Sequence, residues 1–197
     1  SGWDKSSINA KETALYCEDA GVKALFIHGR SKNQGYSGKV DYEIIRTVKK
    51  SLKIPVIASG DILSAPLAKK MLDETGCDGL LMARGTLGNP WIFKETLELI
   101  ENERNIPRPT QNEVIKTMLE HLDYTIGFYG EKIGVVIFRK FISWYTKGFR
   151  KIRPLREKAS HIKTKKELVH CVINFQQCTR GRGGDRPPRL GGAQRTK

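Results

Sequence analysis

The sequence contains no apolar run of about 18 residues and no charged-then-apolar opening, so neither a membrane-spanning helix nor a secretory leader is visible in it. Cysteine is scarce. Cys17, Cys77, Cys171 and Cys178 share no metal-ligand spacing, and a chain of 197 residues that is 39% hydrophobic is large enough to fold without disulfides. A reducing, cytoplasmic setting is the expectation. Neither the dinucleotide-binding glycine pattern nor the P-loop pattern occurs. Acidic residues are missing from one end only: residues 139–197 hold 17 Lys and Arg against 3 Asp and Glu, whereas residues 1–138 hold 18 of each. The whole net charge of +14 therefore lies in the C-terminal part, which points to a polyanionic partner there.

What is present in residues 8–100 is an alternation. Helical spacing over 9–20, closed by Gly21, precedes an apolar run at 24–27. A second helix over 42–51, with Ile44, Ile45 and Val48 on one face, precedes a run at 54–58. A third over 66–74, stopped by Gly76, precedes a run at 79–82. Continuous apolar strands between amphipathic helices predict an α/β fold with a parallel sheet covered by helices.

Each strand ends in a polar cluster: His28-Gly29-Arg30, Ser59-Gly60-Asp61 and Arg84-Gly85. Parallel strands point one way, so the three clusters fall along one edge, where α/β enzymes bind their ligands. One such junction is simply a strand meeting solvent; three in succession predict a site. Gly60, Gly85 and Gly88 are expected to let backbone N–H groups approach a ligand. The turn at 86–89, ahead of Pro90 and Trp91, reads as the start of another helix, and with Arg84 beside it this suits a phosphate.

Residues 102–110, with two prolines, read as a linker. Residues 111–177 read as an all-helical domain of three or four helices. Thr110 with Glu113 and Thr164 with Glu167 form capping-box signatures, and Ile115, Met118, Leu119, Leu122 and Ile126 keep helical spacing. A further helix is predicted over about 133–147. Within this domain Phe138, Phe141, Trp144, Tyr145 and Phe149 interleave with cations. The aromatics are expected to pack the core, and the cations to form a solvated basic face fitted to a phosphate backbone. Residues 178–197 lose all periodicity and read as a disordered basic tail, which either adds non-specific nucleic-acid affinity or is a cloning or reading-frame remnant.

The stretches "GVKALFIHGRSKNQGYSG", "IPVIASGDI", "TGCDGLLMARGTLGNPWIF" and "RKFISWYTKG" together resemble the tRNA-dihydrouridine synthases, over residues 2 to about 175 and in that family's order. The resemblance implies a (βα)8 TIM barrel carrying FMN at its C-terminal face, joined to a helical domain that helps grip tRNA. In such enzymes NADPH reduces the flavin, hydride passes to C6 of a flipped-out uracil, and a cysteine on a barrel loop protonates C5. Carried onto this sequence, His28 resembles the family's flavin-contacting histidine. Ser59, Gly60 and Asp61 fall on the phosphate-binding strand end, and Ala83 with Arg84 on the next. Arg30, Arg139, Lys140, Lys147, Arg150 and Arg153 fall on the tRNA side. Ser59 stands where the family usually has Asn, which implies weaker flavin anchoring.

The resemblance starts just past the family's fifth barrel strand. Residues 1–101 are therefore expected to form the C-terminal part of the barrel, without the half that carries the catalytic cysteine and the flavin-contacting lysine. None of the four cysteines suits the role of proton donor, so no catalytic residue is named. The parent is expected to be an oxidoreductase and this chain alone to be inactive, with open barrel edges that favour self-association. Two other readings compete: a non-catalytic RNA-binding module in which residues 111–177 act alone, and another FMN-dependent barrel oxidoreductase. The latter leaves the basic aromatic segment unexplained.

Overall fold

Asp41 accepts hydrogen bonds from the backbone N–H groups of Glu43 (2.9 Å) and Ile44 (3.2 Å), which starts α2 (Tyr42–Ser51) and turns Ile45 and Val48 inward. In the computed structural model, which describes residues 1–180, α2 shares one apolar core with α1 (Ala10–Asp19), α3 (Ala65–Thr75) and a small parallel sheet. The strands are β1 (Leu25–His28), β2 (Val56–Ser59) and β3 (Gly79–Leu81), hydrogen-bonded in that order. The fold is thus α/β, as the alternation predicts. Ile27, Val56 and Ala58 from the sheet bury against Ile45, Val48 and Met71 from the helices. Side chains alternate along a strand, so the other face carries Phe26 and Leu81, both exposed.

The entry ends of the strands are tied by carboxylates. Glu18 Oε1 accepts from the N–H groups of Lys53 (2.7 Å) and Ile54 (2.9 Å), and Asp78 Oδ2 accepts from Val56 N–H (2.7 Å). Pro55 has no N–H to give a neighbouring strand, so β2 begins at Val56 rather than at position 54. After β3 the chain makes a single 3₁₀ turn (Arg84–Thr86) and then α4 (Ile92–Glu101).

Leu87–Pro90 and residues 107–180 belong to a second compact unit. Its first helix, α5 (Gln111–Tyr129), opens on a complete capping box: Thr110 Oγ1 accepts from Glu113 N–H (3.3 Å) while Glu113 Oε2 accepts from Thr110 N–H (2.7 Å). It is followed by α6 (Glu131–Tyr145), α7 (Arg153–Ala159) and α8 (Lys165–Arg180). Val114, Met118 and Leu122 of α5 are buried with Val135, Phe138 and Ile142 of α6, Leu155 of α7 and Leu168 and Val172 of α8. Helix α8 runs three residues past the boundary expected at 177, and positions 181–197 of the expected tail lie outside the described residues. Among the described residues no helix is long and apolar enough to cross a membrane.

Candidate functional site

The register of the sheet sets His28 beside Ser59 and Ser59 beside Leu81, one row across the C-terminal ends of all three strands. By alternation this row lies on the sheet face opposite the helices. Beyond Ser59 the chain turns through Gly60 into Asp61, which adopts a left-handed conformation (φ 49°). There its carboxylate is bridged: Oδ2 accepts from Arg30 Nη2 and Oδ1 accepts from Arg84 Nη2. The residues that the sequence places at three separate strand ends therefore meet in one cluster.

Arg30 is buried, its side chain 1% exposed. Besides Asp61 it holds the loop after β1, donating Nε to the carbonyl of Ser37 (3.2 Å) and Nη2 to that of Gly38 (2.6 Å). Tyr36 belongs to the same loop, and its ring lies 4.3 Å from the Arg84 guanidinium, a cation–π contact. Tyr36 escapes the sequence reading; its only signal is a lone aromatic ring among small and polar residues within reach of a strand end.

The charges are mutually conditioned. The hydrogen bond from Arg30, helped by the charges of Arg30 and Arg84 against the opposing effect of burial, holds the Asp61 carboxyl below its ordinary value. Burial first, and then the Arg30 guanidinium, push the His28 imidazole below its ordinary 6.5, with Asp61 pulling the other way. At neutral pH His28 is uncharged, and two guanidiniums against one carboxylate leave a net positive cluster. The His28 shift has a consequence for stability. The unfolded chain takes up the proton first as pH falls, so His28 weakens folding on the acid side of 6.5 and has no such effect above it. His121 acts in the same direction through burial. Urea unfolding at pH 7.5 and pH 5.5 is therefore expected to show a smaller acid loss in His28→Gln than in the wild-type chain; an equal loss would contradict the assignment.

Ala83 and Arg84 are exposed, and the Ala83 carbonyl accepts from Thr86 N–H (3.1 Å) and Thr86 Oγ1 (2.8 Å). At the three glycines of these turns, the space a Cβ would take is filled by the chain itself. Val40 stands there at Gly60 (2.8 Å), the Ile62 carbonyl at Gly85 (2.1 Å) and the Trp144 backbone at Gly88 (2.4 Å). Cys17 lies in α1, Cys77 is buried just ahead of β3 at the opposite end of the strands, and Cys171 lies on α8. Among the described residues no cysteine stands in the cluster.

The FMN implied by the resemblance fits what is there. Arg30 Nη1 is buried with no hydrogen-bond partner in the protein, and the Arg84 side chain is 44% exposed. Arg30 Nη1 is enclosed, so what the strand ends offer a phosphate is the exposed Arg84 guanidinium in a cluster of net positive charge.

In the second unit, Phe138, Tyr145 and Phe149 are buried, and Phe138, Phe141 and Trp144 contact one another in sequence. The aromatics pack the interior, as expected. Lys140, Lys147 and Arg150 are exposed, and so is Arg153, which pairs with Glu157 at 2.7 Å. Arg139 is different: half-buried, it donates Nε and Nη2 to the Ile162 carbonyl (3.0 and 2.6 Å) and so fastens the chain ahead of α8.

Fold and cluster together define an α/β protein with a cationic group of side chains on the tips of parallel strands, the edge where such sheets bind ligands. The chain belongs to the dihydrouridine synthase family, whose model, "Dihydrouridine synthase (Dus)", matches residues 1–180. It is 40% identical over 174 residues to tRNA-dihydrouridine synthase B of Pasteurella multocida, covering 88% of this chain and 52% of that protein. It is 41% identical over 144 residues to the proteins of that name from Pseudomonas putida and Pseudomonas aeruginosa, covering 73% of this chain and 43% of each of theirs. The chain thus spans about half the length of the curated relatives it matches.

Proposed function

We propose that this chain is the C-terminal part of a (βα)8 barrel and the helical tRNA-binding domain of an enzyme that reduces uridine to 5,6-dihydrouridine in tRNA. FMN is the cofactor in this reading and NADPH the reductant. The observation that carries it is the meeting of His28, Ser59, Asp61 and Arg84 at adjacent strand tips, in a chain whose family match runs almost end to end. His28, Ser59, Gly60, Asp61, Ala83 and Arg84 would hold FMN. When bound, FMN supplies the two-electron chemistry that no side chain of the cluster possesses. Neutral His28 offers one donor and one acceptor nitrogen, and the exposed Arg84 guanidinium, in a cluster of net positive charge, receives a phosphate. Lys140, Lys147, Arg150 and Arg153 would meet phosphates of the tRNA, while Arg139 supports them from within the fold. The exposed sheet face carrying Phe26 and Leu81 favours self-association.

The chain alone is inactive in this reading, because none of Cys17, Cys77 and Cys171 stands at the strand tips to deliver a proton. Incubated with FMN, NADPH and unmodified tRNA it yields no dihydrouridine; turnover would refute this part of the proposal. Binding of tRNA is the positive test. With roughly four phosphates neutralised, affinity falls about 100-fold between about 50 and 200 mM salt. An affinity indifferent to salt, or no binding at low salt, would overturn the assignment. The separate compactness of the second unit favours one other reading, a non-catalytic RNA-binding module, whose signature is tRNA binding by a chain that takes up no flavin.

A further inference from the structure

We propose that Arg30 is a positioning residue for Arg84: it fixes both surfaces that the Arg84 guanidinium touches. Arg84 meets two groups in the cluster, the Asp61 carboxylate and the Tyr36 ring. Arg30 holds the first through Asp61 Oδ2 and the second by bonding the carbonyls of Ser37 and Gly38, the two residues that follow Tyr36. It does this without touching Arg84, because Asp61 stands between the two like charges. A buried guanidinium is a costly way to fill space, since a buried ion pair replaced whole by apolar side chains of the same volume often leaves stability unchanged or raised. What an apolar side chain lacks is a rigid fork that reaches three acceptors on two separate loops. Beside the apolar packing of Val40 against Gly60, that fork is the polar link between the turn after β2 and the loop after β1, and it sets where the exposed Arg84 guanidinium stands.

The proposal rests on the cofactor reading only for what Arg84 receives, a phosphate; the positioning itself is a property of the free chain. Two measurements keep them apart. The first is the NMR signal of the Arg84 Nε–H group in protein labelled with 15N arginine, which the Tyr36 ring current displaces and which Tyr36→Leu returns to an ordinary position. In Arg30→Met, with folding checked by circular dichroism, the displacement is expected to vanish. In Arg30→Lys, which keeps the charge beside Asp61 but cannot fork to both carbonyls, it is expected to be partly restored. An undisturbed Arg84 signal in folded Arg30→Met overturns the proposal. Should that variant not fold, an undisturbed signal in Arg30→Lys overturns it equally.

The second measurement compares FMN with riboflavin, which lacks the phosphate. Arg30→Met is expected to weaken FMN binding about tenfold and leave riboflavin unchanged, and Arg30→Met in an Arg84→Met background to add nothing further. Additive losses would mean that Arg30 acts on the ligand by itself, against the proposal. A wild-type chain that binds no FMN sinks the cofactor reading and leaves the Arg84 signal to decide the positioning.

Discussion

Gly88→Ala is expected to cost the unit formed by Leu87–Pro90 and residues 107–180 about 2–5 kcal/mol, a large part of the roughly 5–15 kcal/mol by which an ordinary domain is stable. Two effects add. Gly88 has φ 68°, where an L side chain is strained by about 1–2 kcal/mol. The new Cβ would also stand 2.4 Å from the Trp144 carbonyl carbon and 2.5 Å from the Tyr145 nitrogen. Both are backbone atoms near the end of α6, so no rotamer change relieves the overlap; either the 87–90 turn or the helix end must move. Gly76→Ala, in the other unit, separates the two contributions, since Gly76 has the same φ of 68° in a left-handed turn and nothing within 4 Å of its Cβ position. It is expected to lose only the conformational part, about 1 kcal/mol. Urea unfolding followed by circular dichroism measures both, and equal losses in the two variants would show that the contact with α6 contributes nothing.

That contact also marks where the sequence stops being legible. The helices and strands of residues 8–100 are written in the 3.6-residue and continuous apolar patterns, and α2 begins and ends where its pattern does, because Asp41 caps it and Ile45 and Val48 repeat on one face. The gathering of three strand tips follows from parallel pairing and needs no further information. The ownership of Leu87–Pro90 does not: these four residues lie between β3 and α4 in the chain, yet pack with α6, and only the absence of a side chain at Gly88 permits it. Helix α7 is equally hidden, seven residues with a proline in the first turn and too few apolar positions to show a period. Arg30 is the instructive case. As an arginine at a strand end it reads as a group waiting for substrate, whereas its burial follows from partners 7, 8 and 31 residues away that no local pattern announces. Arg139 reads as part of a solvated face for the same reason, and its partner carbonyl lies 23 residues on.

Asp61→Ala is the substitution expected to do most damage at the strand tips, because it removes a carboxylate on which two guanidiniums converge. Arg30 would stay buried with two carbonyls and no counter-charge, and the like charges of Arg30 and Arg84 would face each other unscreened. Stranding one partner of a fully buried pair costs about 3–5 kcal/mol; the Asp61 side chain is 36% exposed, so water relieves part of this and a loss of about 2–3 kcal/mol is expected. The pH dependence identifies the cause. The Asp61 carboxyl is held below its ordinary 3.8 in the folded chain, so its stabilisation is complete above that pH and disappears as pH falls through the lower folded value. The variant lacks this contribution and is expected to lose less stability in acid than the wild type does. Backbone strain is separated by Asp61→Gly, which removes the same carboxylate but accepts φ 49° freely. If charge dominates, the glycine variant recovers no more than about 1 kcal/mol of the loss; if it recovers nearly all, the left-handed turn rather than the ion pairs is what Asp61 is there to hold, and the two arginines owe their placement to something other than the carboxylate between them.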